Sequence, residues 1–168
     1  MISPIQEYVE QLYSRYASVM EGQVADYIPE LAKADPRLFG ICIATRDGHV
    51  YEVGDTRQAF TIQSISKALT YGLALEDRGE EHVLSRIGVE PSGEAFNAIS
   101  LKEGTGAPFN PMINAGAIAT SGQILKKDGQ SRIDRVVGYL GGFAGRPLPI
   151  NHTIYQSESE TGHRNRAI

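Results

Sequence analysis

Ser64-Ile65-Ser66-Lys67 places a hydroxyl and an amine three residues apart. On a helix those two positions share a face, so the lysine nitrogen can reach the serine oxygen. A serine in the first turn also lies in the positive field of the helix N-terminus, which favours an oxyanion there. A partly desolvated lysine gives up its proton more readily and can act as the base. The chemistry such a pair supports is acyl transfer through a serine ester. Twelve serines and five lysines in 168 residues produce about 0.4 matches to this spacing by chance, so spacing alone favours an ordinary helix-start serine. The match gains weight from its place, where an extended approach meets a new helix.

Other chemistry-bearing residues are weaker. Asn110-Pro111 and Asn114-Ala115-Gly116 put two amides around a proline turn and a helix start. They serve either as caps or as a pair facing a polar ligand. Glu158 and Glu160, two apart, fall on different faces of a helix and make a poor carboxylate pair. His49, His82, His152 and His163 show no metal-ligand spacing. Gly141-Gly142-Phe143-Ala144-Gly145 lacks the G-K-[ST] of a phosphate loop and follows a helix, so it reads as a connection. Cys42 lies in the most apolar stretch and is expected to be a small core residue.

The elements that would position these residues follow from periodicity. Residues 4–19 read as an amphipathic helix, capped by Ser3, with Pro4 first and Ile5, Val9, Leu12 and Tyr16 on one face. Pro29 allows at most a short broken helix over 24–34. Residues 38–45 read as a buried strand, Arg46-Asp47-Gly48 as a hairpin turn, and 49–53 as the returning strand. A helix is expected from Ser64 to about Arg78, stopped by Gly79. Beyond residue 80 the pattern is mostly helix and loop, with helices at 115–127 and 131–140, the latter closed by Gly141-Gly142.

Composition sets outer bounds. A length of 168 residues with 41% hydrophobic and 21% charged residues fits one globular domain with a real core. A net charge of −4 argues against nucleic acid, and no apolar run approaches a membrane span. The charges spread through residues 1–20 do not match a signal peptide, and a single cysteine excludes an internal disulfide. Together these predict a cytoplasmic chain with neither membrane nor nucleic-acid partner.

Several motifs occurring in order carry a more specific resemblance. They are VADYIPELA at 24–32, Gly54-Asp55-Thr56 after the hairpin, QSISK at 63–67, Glu90-Pro91-Ser92-Gly93, NPMINAGA at 110–117 and SESETGHRN at 157–165. From about residue 22 onward the chain resembles the serine-dependent glutaminases. The resemblance implies an α/β (α+β) fold of the β-lactamase/transpeptidase type. It further implies a truncated domain, with an N-terminal helix and hairpin over about 1–62, a mostly helical part over about 63–168, and C-terminal strands not included.

The same resemblance assigns roles. Ser64 would be the nucleophile on the side-chain carboxamide of L-glutamine, and Lys67 would move its proton. Tyr27, Gln63, Asn114, Glu158 and Asn165 would join Ser64 in binding the substrate, with Glu158 facing its ammonium. No cofactor or metal is implied, and homo-oligomeric assembly is. Family domains are nearly twice this length and use a tyrosine and a second oxyanion donor from later in the chain. Little or no turnover is therefore expected from residues 1–168 alone. A penicillin-recognising S-x-x-K enzyme and a catalytically incomplete binding chain are the alternatives.

Overall fold

The computed structural model describes residues 3–166. In chain order the elements are α1 (Pro4–Tyr16), β1 (Gly40–Ala44), β2 (Val50–Gly54), α2 (Ser66–Arg78), α3 (Glu80–Leu84), α4 (Asn114–Gln123), α5 (Arg132–Ala144), α6 (His152–Thr161) and α7 (His163–Arg166). Short 3₁₀ turns cover Leu31–Lys33 and Gln63–Ile65. The class is α+β, as expected. No described helix is long and apolar enough to cross a membrane. The chain divides into two compact units: residues up to Thr61 together with Thr153–Thr161, and Ile62–His152 together with the residues from Gly162 onward.

In the first unit, Ser3 caps α1 by accepting from Ile5 N–H, and Pro4 occupies the first turn. The helix ends three residues earlier than its periodicity suggested. Ala17 is the C-cap, donating to Tyr13 O, and Val19 N–H folds back to Tyr16 O. Strands β1 and β2 pair antiparallel, in register from Gly40 opposite Gly54 to Ala44 opposite Val50. Thr45 N–H to His49 O and Gly48 at φ +89° close the turn. Helix α1 lies on this hairpin through fully buried Val9 and through Tyr13, whose ring stacks on Phe39 at 5.3 Å between centroids. Gly54, at φ +76°, sits where a Cβ would come within 2.3 Å of the Tyr13 ring.

Here the structure corrects the expectation of a buried strand at 38–45. Four of the five β1 residues are exposed, and Cys42 is an exposed free thiol. The apolar run LFGICIAT forms one strand of a two-stranded sheet. Helix α1 packs chiefly on β2, where three of five residues are partly covered, and β1 is left mostly in solvent, however apolar its sequence.

The second unit packs α2, α3, α4 and α5 around Leu73, Ala74, Val83, Ile87 and Ile124. Helix α4 is shorter than the expected 115–127. Ile124 turns extended and fully buried, and polar groups of other elements take over the freed backbone. Arg78 donates to Gln123 O, Arg132 to Ile124 O, and Leu125 N–H donates to Asp77. Asp77 and Arg135 form a bidentate pair, and both side chains are largely buried. Arg135 holds the Asp77 carboxyl below its ordinary pKa, aided by Leu125 N–H, while burial opposes this. Helix α5 starts in a capping box between Ser131 and Asp134 and runs through Gly141-Gly142 instead of stopping there. Its stop is Gly145, in the left-handed region at φ +63°.

Candidate active site

Ser64 lies in the 3₁₀ turn Gln63–Ile65, which runs straight into α2. The α-helix proper therefore begins two residues later than the sequence pattern suggests. The cause is local: Gln63 has φ +41°, unusual for a residue with a Cβ, and turns the chain sharply just before Ser64. Ser66 Oγ steadies the turn by donating to Gln63 O at 2.7 Å. Ser64 is exposed, and its Oγ makes no hydrogen bond among the described residues. As a first-turn donor, its N–H is not consumed by the helix.

Lys67, half-buried one turn later, donates from Nζ to Met112 O at 2.9 Å and to Asn114 Oδ1 at 2.8 Å. The Phe96 ring lies under the same nitrogen, 5.6 Å from its centroid. No carboxylate among the described residues pairs with Lys67. Burial holds its pKa below that of an ordinary lysine. The geometry suits a neutral amine as well as a cation. Two N–H groups meet two carbonyl oxygens, which leaves a tetrahedral position for a lone pair.

The NPMINAG stretch builds the other wall. Asn110 closes the turn ahead of α4: its Oδ1 accepts from Met112 N–H at 3.0 Å and Ile113 N–H at 3.2 Å. Pro111 is buried, and α4 starts immediately after Ile113. Gly116 lets α4 press on this turn, since a Cβ there would lie 1.8 Å from Asn110 O. Asn114, in the first turn of α4, bonds Lys67 through Oδ1 and donates Nδ2 to Asn165 Oδ1 at 3.5 Å. Asn114 N–H donates to Phe96 O at 2.9 Å. Neither amide caps α4, whose N-cap Ile113 has no side-chain hydrogen bond; Asn110 closes the preceding turn and Asn114 joins a polar cluster with Lys67 and Asn165.

The second unit thus gathers Gln63, Ser64, Lys67, Asn114 and Asn165. Gln63 Nε2 is buried beside Ser64 without a hydrogen-bond partner among the described residues. Tyr27 and Glu158 belong to the first unit. Tyr27 is 58% exposed in a loop, and Glu158 is exposed on α6. Two contributors escaped the sequence reading. The Met112 carbonyl is a backbone group that no residue type announces. The Phe96 ring comes from a long loop without periodicity. No group of three or more His, Cys, Asp or Glu among the described residues could hold a metal ion.

Residues 22–168 match the family model described as Glutaminase. The chain belongs to the glutaminase family. A curated glutaminase from Nostoc sp. is 53% identical over 166 residues, covering 99% of this chain and 50% of that protein. The solved structure of Probable glutaminase ybaS superposes with a TM-score of 0.91 at 39% identity, covering 99% of this chain and 55% of that one. Mglu in its glutamate form gives a TM-score of 0.86 at 40% identity, covering 99% of this chain and 40% of that one. The fold is therefore the β-lactamase-like one these glutaminases share, in part. The chain spans about half the length of the curated relatives it matches.

Proposed function

We propose that this chain carries the nucleophile and proton-transfer groups of a glutaminase, an amidohydrolase converting L-glutamine to L-glutamate and ammonia. The observation that carries this reading is the Lys67 amine, held by two uncharged carbonyls one turn beyond an exposed, unbonded Ser64 hydroxyl. A carboxylate partner would fix the lysine as a cation. Carbonyl acceptors and burial leave it able to exchange a proton.

Ser64 Oγ attacks the side-chain carbonyl carbon of glutamine while its proton passes to Lys67 Nζ. The tetrahedral oxyanion is met by the Ser64 N–H at the start of the helix. Lys67 returns the proton to the departing nitrogen, the carbon–nitrogen bond breaks, and ammonia leaves a glutamyl ester on Ser64. Water attacks that ester with Lys67 again taking a proton, and glutamate is released as Ser64 regains its hydrogen. Gln63 Nε2 and the Asn114 and Asn165 amides supply neutral contacts that fix the substrate's orientation without adding charge. The unpartnered Gln63 Nε2 supports this, because a substrate oxygen would satisfy it. Tyr27 and Glu158 stand as proposed substrate contacts on the family resemblance alone. The glutamate form of Mglu supports the choice of ligand class. Cytoplasmic location and homo-oligomeric assembly are part of the same proposal.

The test is ammonia release from L-glutamine by the chain joined to the C-terminal half of the Nostoc relative. Ser64→Ala should abolish it, and Lys67→Ala should be nearly as damaging because the two act as a unit. Near-normal turnover in Lys67→Ala would overturn the assignment.

A further inference from the structure

We propose that Asn110 is a positioning residue for Lys67: its side chain locks the peptide plane whose carbonyl accepts from the lysine amine. The proposal rests on reading Lys67 as the proton-transfer partner of Ser64. Ile113 N–H and Met112 C=O belong to one peptide group. In a trans peptide they point in opposite directions from a rigid plane, and no cis peptide occurs among the described residues. Asn110 Oδ1 holds the N–H end at 3.2 Å, and Lys67 Nζ meets the C=O end at 2.9 Å. Rotating that plane breaks both bonds together.

Everything around the plane is fixed. Asn110 Oδ1 also accepts from Met112 N–H, and Asn110 Nδ2 donates to Glu90 O at 3.0 Å. The receiving segment is tied down in turn by Gly88 N–H to Pro108 O and Glu90 N–H to Phe109 O. Pro111 has its φ set by its ring. Ile113 is 5% exposed and anchors the far side of the plane in the core. The 111–112 and 112–113 peptides thus both donate a hydrogen bond to the single Asn110 Oδ1, and the second of them carries the carbonyl that meets Lys67. Lys67 has two carbonyl acceptors, and only the Asn114 oxygen would survive its rotation. A lysine with one acceptor pivots about that bond, and its amine loses its fixed direction.

Nitrogen-edited NMR of the lysine amines in the 168-residue chain tests this at mildly acidic pH, where the amines are protonated. Lys67 is assigned by the signal lost in Lys67→Arg. In the wild type we expect a slowly exchanging Lys67 signal, distinct from the other four lysines. In Asn110→Ala, with unchanged far-ultraviolet circular dichroism, that signal should collapse into fast exchange. Asn110→Asp keeps the oxygen acceptor but loses the donor to Glu90, so the signal should persist. A Lys67 signal unmoved in folded Asn110→Ala overturns the proposal, as does a signal lost in Asn110→Asp. If Asn110→Ala fails to fold, the Asp variant decides alone. In the joined chain, Asn110→Ala should lower kcat by about 10²-fold with KM little changed, the scale expected of a catalytic group misplaced by about 1 Å. The amine readout is independent of turnover. A chain with the distinct Lys67 signal and no glutaminase activity would sink the functional reading and leave the positioning role standing.

Discussion

Replacing Gly116 by alanine should damage stability and site together. A Cβ at this position would lie 1.8 Å from Asn110 O, 2.7 Å from Asn110 C and 2.9 Å from Pro111 Cα. A carbon meets a carbonyl oxygen comfortably at about 3.3 Å, so α4 and the 110–111 turn must part by about 1.5 Å. The obstructing atoms are backbone, so no side-chain rotation relieves the clash. Overpacking costs about 1–3 kcal/mol, and a backbone clash belongs at the upper end. At about 2–4 °C per kcal/mol for a chain of this size, Tm should fall by about 6–12 °C. The same separation pulls Asn114 on α4 away from Met112 on the turn. Lys67 then cannot hold both acceptors, since neither bond survives stretching past about 3.5 Å. Gly122, on the same helix, is the control: nothing lies within 4 Å of its Cβ position. Gly122→Ala should be neutral or stabilising by up to about 1 kcal/mol. Thermal melts followed by circular dichroism compare the two. Equal Tm values for Gly116→Ala and Gly122→Ala would refute the packing argument.

Further predictions concern groups outside the site. Asp77 has a folded-state pKa below its ordinary 3.8, so its stabilising effect is complete above that pH and is lost as pH falls through the folded value. The Tm gap between wild type and Asp77→Asn should therefore be widest near neutrality and narrow on acidification below about pH 4, and a gap independent of pH would refute the pairing with Arg135. Ser131→Ala removes the acceptor for Asp134 N–H and should cost about 1 kcal/mol, seen as a small drop in Tm. Cys42, exposed on β1, should react with Ellman's reagent in the native chain nearly as fast as in denaturant, and strong protection would contradict the exposure.

The Ser64-x-x-Lys67 spacing was legible as a candidate because i and i+3 share a helix face, whereas the 3₁₀ turn that holds Ser64 ahead of α2 and the carbonyl partners of Lys67 were not. The hairpin was legible because Arg46-Asp47-Gly48 can do little else between two apolar runs. The burial of β1 was not, since hydrophobicity of a strand reports what it could cover, not what lies against it. The early end of α4 was equally hidden. Where Ile124 leaves the helix, Arg78 and Asp77, remote in sequence, and Arg132 on the next helix bond the freed backbone groups. Gly141-Gly142 misled in the other direction, because glycine weakens a helix without obliging it to stop. In the site, Asn110 and Asn114 announced themselves by residue type. The Met112 carbonyl could be found only once the turn had been folded around Gly116.

The proposed function requires that Ser64 form the covalent bond to a glutamine-like substrate with Lys67 as its proton partner. Peptide mass mapping after incubation with a diazoketone analogue of L-glutamine tests it most directly, in the chain joined to the C-terminal half of the Nostoc relative. One adduct is expected, on the peptide containing Ser64, abolished by Ser64→Ala and strongly slowed by Lys67→Ala. An adduct on any other residue, in a protein that still hydrolyses glutamine after Ser64→Ala, would contradict it.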